Sequence, residues 1–207
     1  MGSRMGAKVA LHSGKDSRIL SLRRRIRCGK TVPSAGSAEG AATHQELDGM
    51  AHDSLLREHL TNLLTLGNAH VTFDDAVKGL APELRGKRPK GGDHSPWELL
   101  EHLRIAQRDI LEFSRDARHR SPEWPGGYWP KTAAPPDEKA WDKSVRAFRK
   151  DLKELCSLIA DESTDLYAKI PHGDGQTILR EALLAADHNS YHVGQLVLVR
   201  RLLGAWG

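Results

Sequence analysis

Apolar residues recur every three or four positions through residues 50–207, and this period predicts helices. A first helix is predicted over residues 53–66, with Leu56, Leu60 and Leu63 on its apolar face, before Gly67. Thr72 begins a segment that resembles a capping box, with Asp at the third helical position, and it predicts a short second helix.

The strongest start signal is Ser95-Pro96-Trp97-Glu98, which combines a Ser N-cap, Pro at the first helical position and Glu at the third. It predicts a helix to about residue 114. A third long helix follows Pro135-Pro136 with Asp137 as its N-cap, and a fourth spans residues 177–203. The fourth is apolar on most sides, so we expect it to be the most buried. Since no segment has a strand pattern, the fold class is all-α, a four-helix bundle.

Histidines at helical spacing are the main candidate chemistry. His188 and His192 are four residues apart, which puts both imidazoles on one helix face within reach of one ion. That face, continued by the set Leu184, Tyr191, Gln195 and Val199, is predicted to point inward. His102 lies among apolar residues on its own helix, so two facing helices can bring the three imidazoles together. Such a spacing also arises by chance, and a single inward histidine is often a hydrogen-bonded core residue.

Three segments carry a resemblance to a known family. Residues 94–113 (HSPWELLEHLRIAQRDILEF), the aromatic loop 124–130 and residues 187–206 (DHNSYHVGQLVLVRRLLGAW) resemble the DinB-like superfamily of bacterial metal-binding four-helix bundles. The resemblance covers about residues 52–206. It implies that His102, His188 and His192 bind a divalent metal, with Zn, Ni, Fe and Mn all open.

The resemblance leaves the activity open between classes. It implies either a thiol-dependent S-transferase that uses a low-molecular-weight thiol or a metal-dependent hydrolase, each acting on a small-molecule substrate. Three His ligands leave a coordination position for water or substrate, which is typical of catalytic sites. The alternative is a stress-related metal-binding bundle without catalysis. Some relatives form dimers, so a homodimer is an alternative to a monomer.

Polar neighbours of the histidines are candidate cofactor-binding residues. Asp109 lies two turns after His102 and either orients an imidazole N–H or faces solvent. Tyr191 and Gln195 flank the histidine pair and either contact a bound molecule or pack. In the loop of residues 116–136, three aromatic residues either cover the site or attach the loop to the bundle: Trp124, Tyr128 and Trp129.

Composition separates a tail from this body. Residues 1–49 have nine basic and four acidic residues and no aromatic residue, and they are predicted to be a disordered extension, whereas residues 50–207 carry a net charge of −1. The arginines at 23–25 and 27 suggest contact with nucleic acid or acidic lipid, or an organelle transit peptide; we favour an upstream extension with Met50 as the working start.

Charge, apolar run length and cysteine count also limit the expected partners and location of the protein. A body of net charge −1 gives no electrostatic reason to bind nucleic acid. No apolar run approaches the roughly 18 residues of a membrane span, and two cysteines exclude a disulfide scaffold. Because no secretory segment is visible, the expected location is the cytoplasm.

Overall fold

A computed structural model describes residues 44–206, with side chains from residue 49 onward. Its long helices are α1 (His44–Thr65), α3 (Pro96–Arg115), α4 (Ala140–Ala160) and α5 (Ile178–Leu202), and a short α2 (Phe73–Val77) lies between the first two. The described residues contain no strand, only an isolated bridge between Lys169 and Thr177. The all-α bundle is confirmed. The disorder predicted for residues 1–43 lies outside the described residues.

The four long helices pack in a ring. α3 packs against α4 and α5, and α1 packs against the same two helices, so α1 and α3 are diagonal partners. Two apolar clusters fill the interior, one around Leu100, Phe148 and Leu196 and the other around Leu111 and Leu155. None of the described helices is both long and apolar enough to cross a membrane.

The predicted helix starts follow from local hydrogen bonds. At α3, the Ser95 backbone N–H donates to the Glu98 carboxylate at 2.8 Å, and the Glu98 N–H donates to Ser95 Oγ at 3.2 Å. Thr72 and Asp75 form the same reciprocal pair at α2. Thr177 Oγ1 accepts the third N–H of α5 at 3.1 Å. These caps satisfy backbone donors that a helix leaves free at its start, which explains why sequence located them.

Two helix starts differ from prediction. α1 begins at His44 rather than Asp53, so its first turns lie within the segment assigned to the extension. α4 begins at Ala140, and its N-cap is Lys139, not Asp137. The Asp137 carboxylate accepts the Lys139 backbone N–H at 2.8 Å in the preceding turn. The Asp137 side chain therefore stabilises the turn that precedes α4 and does not cap the helix itself.

Two burial predictions were also wrong. On α1 the apolar face is Leu56, Leu60 and Leu64, whereas Leu63 is largely exposed. α5 is not the most buried helix, since it presents large apolar side chains to solvent while nearly two thirds of α3 is buried. The exposed apolar residues of α5 are Leu183, Tyr191, Leu198 and Leu202. Apolar residues lie on two faces of α5, and only one of these faces packs against the bundle core.

Candidate metal centre

Three imidazoles meet between α3 and α5. His102 Nε2 lies 3.0 Å from His188 Nε2 and 3.1 Å from His192 Nε2. The candidate ligand atoms of the three residues all lie within 4.8 Å of one another, a group that can hold a metal ion. His102 and His192 are buried, and His188 is half-buried. The four-residue spacing on α5 places two rings one turn apart, and α3 supplies the third opposite them.

Hydrogen bonds fix the proton on two of these rings. His102 Nδ1 lies 2.9 Å from the Tyr128 carbonyl oxygen, and His192 Nδ1 lies 2.8 Å from Gln195 Oε1. The Tyr128 carbonyl only accepts and Gln195 presents its Oε1 to the ring, so in this arrangement each Nδ1 carries a hydrogen and each neutral ring has a lone pair on Nε2. These two lone pairs face each other at 3.1 Å. If His188 carries its proton on Nε2, it can donate to His102 Nε2. The contact between His102 Nε2 and His192 Nε2 is still repulsive in that case. A cation bound by all three nitrogens removes the repulsion, so the residues fit a metal ion.

Burial keeps the cluster neutral. Desolvation lowers the pKa of His102, and it lowers the pKa of His188 and of His192 to about 4, with the neighbouring imidazoles adding to the effect in those two. All three rings are therefore neutral near pH 7. Neutral imidazole is the form that ligates divalent transition metals, so no proton has to be displaced at that pH.

Aromatic rings cover the cluster. Trp129 stacks on His102 with ring centroids 4.0 Å apart and planes 2° from parallel, and His94 stacks on Trp129 at 4.1 Å. Tyr191 contacts His192 edge-on at 4.9 Å. Trp124 is 77% exposed and contacts only the Tyr128 ring among the aromatic residues described. Trp129 thus shields His102 from water, whereas Trp124 does not cover the site.

Asp109 acts on the loop rather than on the three histidines. Its carboxylate accepts the Tyr128 hydroxyl at 2.6 Å and His119 Nε2–H at 2.7 Å. Burial and the Asp109 carboxylate both raise the pKa of Tyr128, so the phenol stays protonated and donates. The predicted hydrogen bond from Asp109 to an imidazole of the cluster is not present, and the imidazole that it contacts is that of His119. The connection of Asp109 to the cluster is indirect, through Tyr128, whose carbonyl holds His102.

The other candidates are placed as follows. Gln195 holds His192 Nδ1 directly. Tyr191 is 63% exposed, so the predicted inward face does not include it. Sequence reasoning missed the Tyr128 carbonyl, since a backbone acceptor in a loop has no sequence signature. It also missed a polar pair between Gln107 on α3 and Asn189 on α5, although Asn189 adjoins His188 in the chain.

A small cavity lies one helical turn from the cluster. It has a volume of about 190 Å³ and is lined by Asp109 and Ser121 on one side and by Glu181 and Leu184 of α5 on the other. Leu184 precedes His188 by one turn. Pockets for drug-sized ligands occupy about 300–1,000 Å³, so this cavity has room for only part of such a molecule.

Comparison with known proteins gives one family match. The family model described as the DinB superfamily matches residues 66–196, which include all three histidines. No curated protein and no solved structure matches the chain.

Proposed function

Since this chain belongs to the DinB superfamily, we propose that it binds one divalent metal ion through Nε2 of His102, His188 and His192. The observation that supports this most directly is the 3.1 Å separation of His102 Nε2 and His192 Nε2, on two rings that each have an acceptor at Nδ1. A histidine cluster with a purely structural role would place an N–H opposite each lone pair. Zn, Ni and Fe suit imidazole ligands, which do not select among those three; Mn, the fourth candidate, prefers oxygen ligands.

Each ligand residue is oriented by its own surroundings. The Tyr128 carbonyl and Gln195 Oε1 keep the protons of His102 and His192 on Nδ1, away from the metal. Trp129 limits the access of water to His102, and His188 is the least buried of the three histidines. Asp109 holds the loop that carries Tyr128 and Trp129.

We further propose that the site is catalytic, as a thiol-dependent transferase or a hydrolase. A metal with three His ligands supplies an open position and lowers the pKa of a thiol or water that occupies it. Tyr191 is the residue of this chain best placed to contact that molecule, because it is exposed beside His192. Gln195 and Asp109 act on the site through His192 and Tyr128. The small cavity equally suits the alternative, a metal-binding bundle without catalysis. The cytoplasmic location stays a prediction.

Elemental analysis tests the metal site. We expect about one equivalent of metal in the full chain after reconstitution and none in His188→Ala or His192→Ala. His59→Ala is the matched control, since His59 is an exposed histidine on α1. A full equivalent in both site variants, or none in the parent, contradicts the assignment. Turnover assays with thiols and electrophilic substrates, and with hydrolysable esters and amides, then separate the catalytic from the non-catalytic proposal.

A homodimer through the outer face of α5 is a further proposal. Exposed residues recur along this face at heptad-like spacing: Leu183, Asp187, Tyr191, Gly194, Leu198 and Arg201. A two-fold axis at Gly194, where the face is open, places Asp187 level with Arg201 of the second copy. Neither side chain forms an ion pair with a described residue. The face is therefore complementary to itself in charge and largely apolar.

Charge reversal tests the dimer. In sedimentation experiments we expect a dimeric parent, monomeric Asp187→Arg and Arg201→Glu variants, and a dimer again when both changes are combined. A monomeric parent at concentrations of about 100 μM overturns this proposal and leaves the metal site untouched.

A further inference from the structure

A polar pair crosses the apolar interface between α3 and α5 beside the histidine cluster. Gln107 on α3 is completely buried, and its Oε1 accepts a hydrogen bond from Asn189 Nδ2 at 2.8 Å. Asn189 directly follows His188 on α5. Three further atoms in this region are buried without a hydrogen bond of normal geometry to any described residue: His188 Nδ1, Asn189 Oδ1 and Gln107 Nε2. Buried polar atoms in native proteins are nearly always paired, so these three need an explanation.

His188 differs from the other two histidines in this respect. His102 and His192 each have an acceptor at Nδ1, and His188 has none. Asn189 Oδ1 is an acceptor without a donor, one residue away. Two buried polar atoms without a partner, His188 Nδ1 and Asn189 Oδ1, thus belong to adjacent residues of α5.

We propose that Asn189 is a positioning residue for His188: its Oδ1 accepts Nδ1–H of His188 when the cluster binds metal, and Gln107 holds the Asn189 amide in the orientation that this requires. The proposal rests on the metal site proposed above. It gives each of the three histidines an acceptor at Nδ1 and a lone pair at Nε2. Metal ligands of this type usually have such a partner on the other ring nitrogen, and it fixes both tautomer and ring orientation.

Gln107 is compatible with the amide orientation that the proposal requires, because its Oε1 accepts from Asn189 Nδ2. With Nδ2 committed to Gln107, only Oδ1 of Asn189 remains for His188. An amide turned the other way would present N–H groups to His188, which would favour a lone pair on Nδ1 and a hydrogen on Nε2. That tautomer cannot ligate through Nε2. The pair therefore selects the ligating tautomer of His188.

The test is the Zn²⁺ dissociation constant of the full chain, measured with a competing chelator at pH 7.5, together with the melting temperature of the metal-free protein. We expect Asn189→Leu to bind Zn²⁺ about 10–100-fold more weakly than the parent, and Gln107→Leu to weaken binding by a smaller factor. Ser190→Ala is the control, because Ser190 is the next residue of α5 and its hydroxyl bonds to the Ala186 carbonyl.

Asn189→Asp separates an acceptor from a packing role. Its carboxylate accepts from His188, and the Gln107 amide can turn so that Nε2 donates to it, so we expect affinity equal to the parent or tighter. A merely structural Asn189 would lower the melting temperature in both variants without this difference in Zn²⁺ affinity. If Asn189→Leu does not fold, equal loss of affinity in Asn189→Asp and in Asn189→Ala overturns the proposal.

These measurements distinguish failure of the metal site from failure of the positioning role of Asn189. A parent that binds no Zn²⁺ overturns the metal site and this inference together. A parent that binds Zn²⁺ while Asn189→Leu binds it equally tightly overturns the positioning role alone. A weaker Asn189→Leu with an unchanged Asn189→Asp supports it.

Discussion

The hydrogen bond between Tyr128 and Asp109 predicts a measurable coupling between the two residues. Tyr128→Phe removes only the hydroxyl that donates to Asp109 at 2.6 Å, and Asp109→Ala removes the acceptor of both this bond and the His119 bond. A hydrogen bond to a charged acceptor contributes about 1.5–3 kcal/mol. Asp109 is mostly buried, with 13% of its side chain exposed, so solvent screens this bond little. We expect Tyr128→Phe to lower the free energy of unfolding by about 1.5 kcal/mol, at the low end of that range.

The assay is a double-mutant cycle by urea unfolding of the metal-free chain, followed by circular dichroism. Since Asp109→Ala already removes the partner of the hydroxyl, Tyr128→Phe should have almost no effect in its background. The coupling energy is then about 1.5 kcal/mol. Zn²⁺ affinity should fall less than tenfold in Tyr128→Phe, because the backbone carbonyl that holds His102 is retained. Additive effects of the two substitutions would refute the assignment of Asp109 as the residue that holds this loop.

Three further outcomes are expected. In urea unfolding, Arg57→Met should lower the free energy of unfolding by about 3–5 kcal/mol. The buried Arg57 guanidinium donates to three backbone carbonyls, one at the end of α4 and two just after it. Arg149→Met, which removes an exposed ion pair, should lower the free energy of unfolding by at most about 1 kcal/mol. Burial raises the pKa of Glu98, but hydrogen bonds from Arg88 and Ser95 outweigh this effect and lower the pKa below 4.5. Glu98→Gln should therefore be less stable than the parent at pH 7, and the difference in melting temperature should become smaller at pH 4 and smaller again at pH 3. Burial raises the pKa of Cys156 to about 11, so in a Cys28→Ser background its alkylation at pH 7.5 should be far slower than that of free cysteine.

Each of these three expectations has a contrary result. Equal losses in Arg57→Met and Arg149→Met would show that the buried guanidinium contributes no more than a surface pair. A Glu98→Gln deficit that stays constant from pH 7 to pH 3 would show that the carboxyl has no lowered pKa. Alkylation of Cys156 as fast as a free thiol would show that the side chain is accessible and ionised.

Sequence predicted the features that depend on neighbours in the chain. Ser95 and Thr72 cap their helices through residues three positions on, and His188 and His192 share a face because of their spacing. His102 could be assigned as the third member only through its apolar surroundings and the family resemblance. These predictions required no knowledge of how distant segments pack.

Features that depend on distant segments were not predictable. Asp109 lies two turns after His102 on nearly the same side of α3, but its carboxylate bonds to His119 and Tyr128 of the loop instead. Tyr191 was placed on the inward face, yet adjacent helix positions differ by about 100°, so beside a buried His192 it turns toward solvent. The loop conformation decides the first case, and the rotation between neighbouring positions of α5 decides the second.

The two kinds of acceptor behind the histidines differ in how they tolerate change. His102 is held by a main-chain oxygen, so no substitution at position 128 deletes the acceptor itself, although a change in loop course can displace it. His192 depends on the side chain of Gln195, which a single nucleotide change can remove. Substitutions at position 128 therefore leave the acceptor of His102 in place, whereas substitutions at position 195 can delete the acceptor of His192.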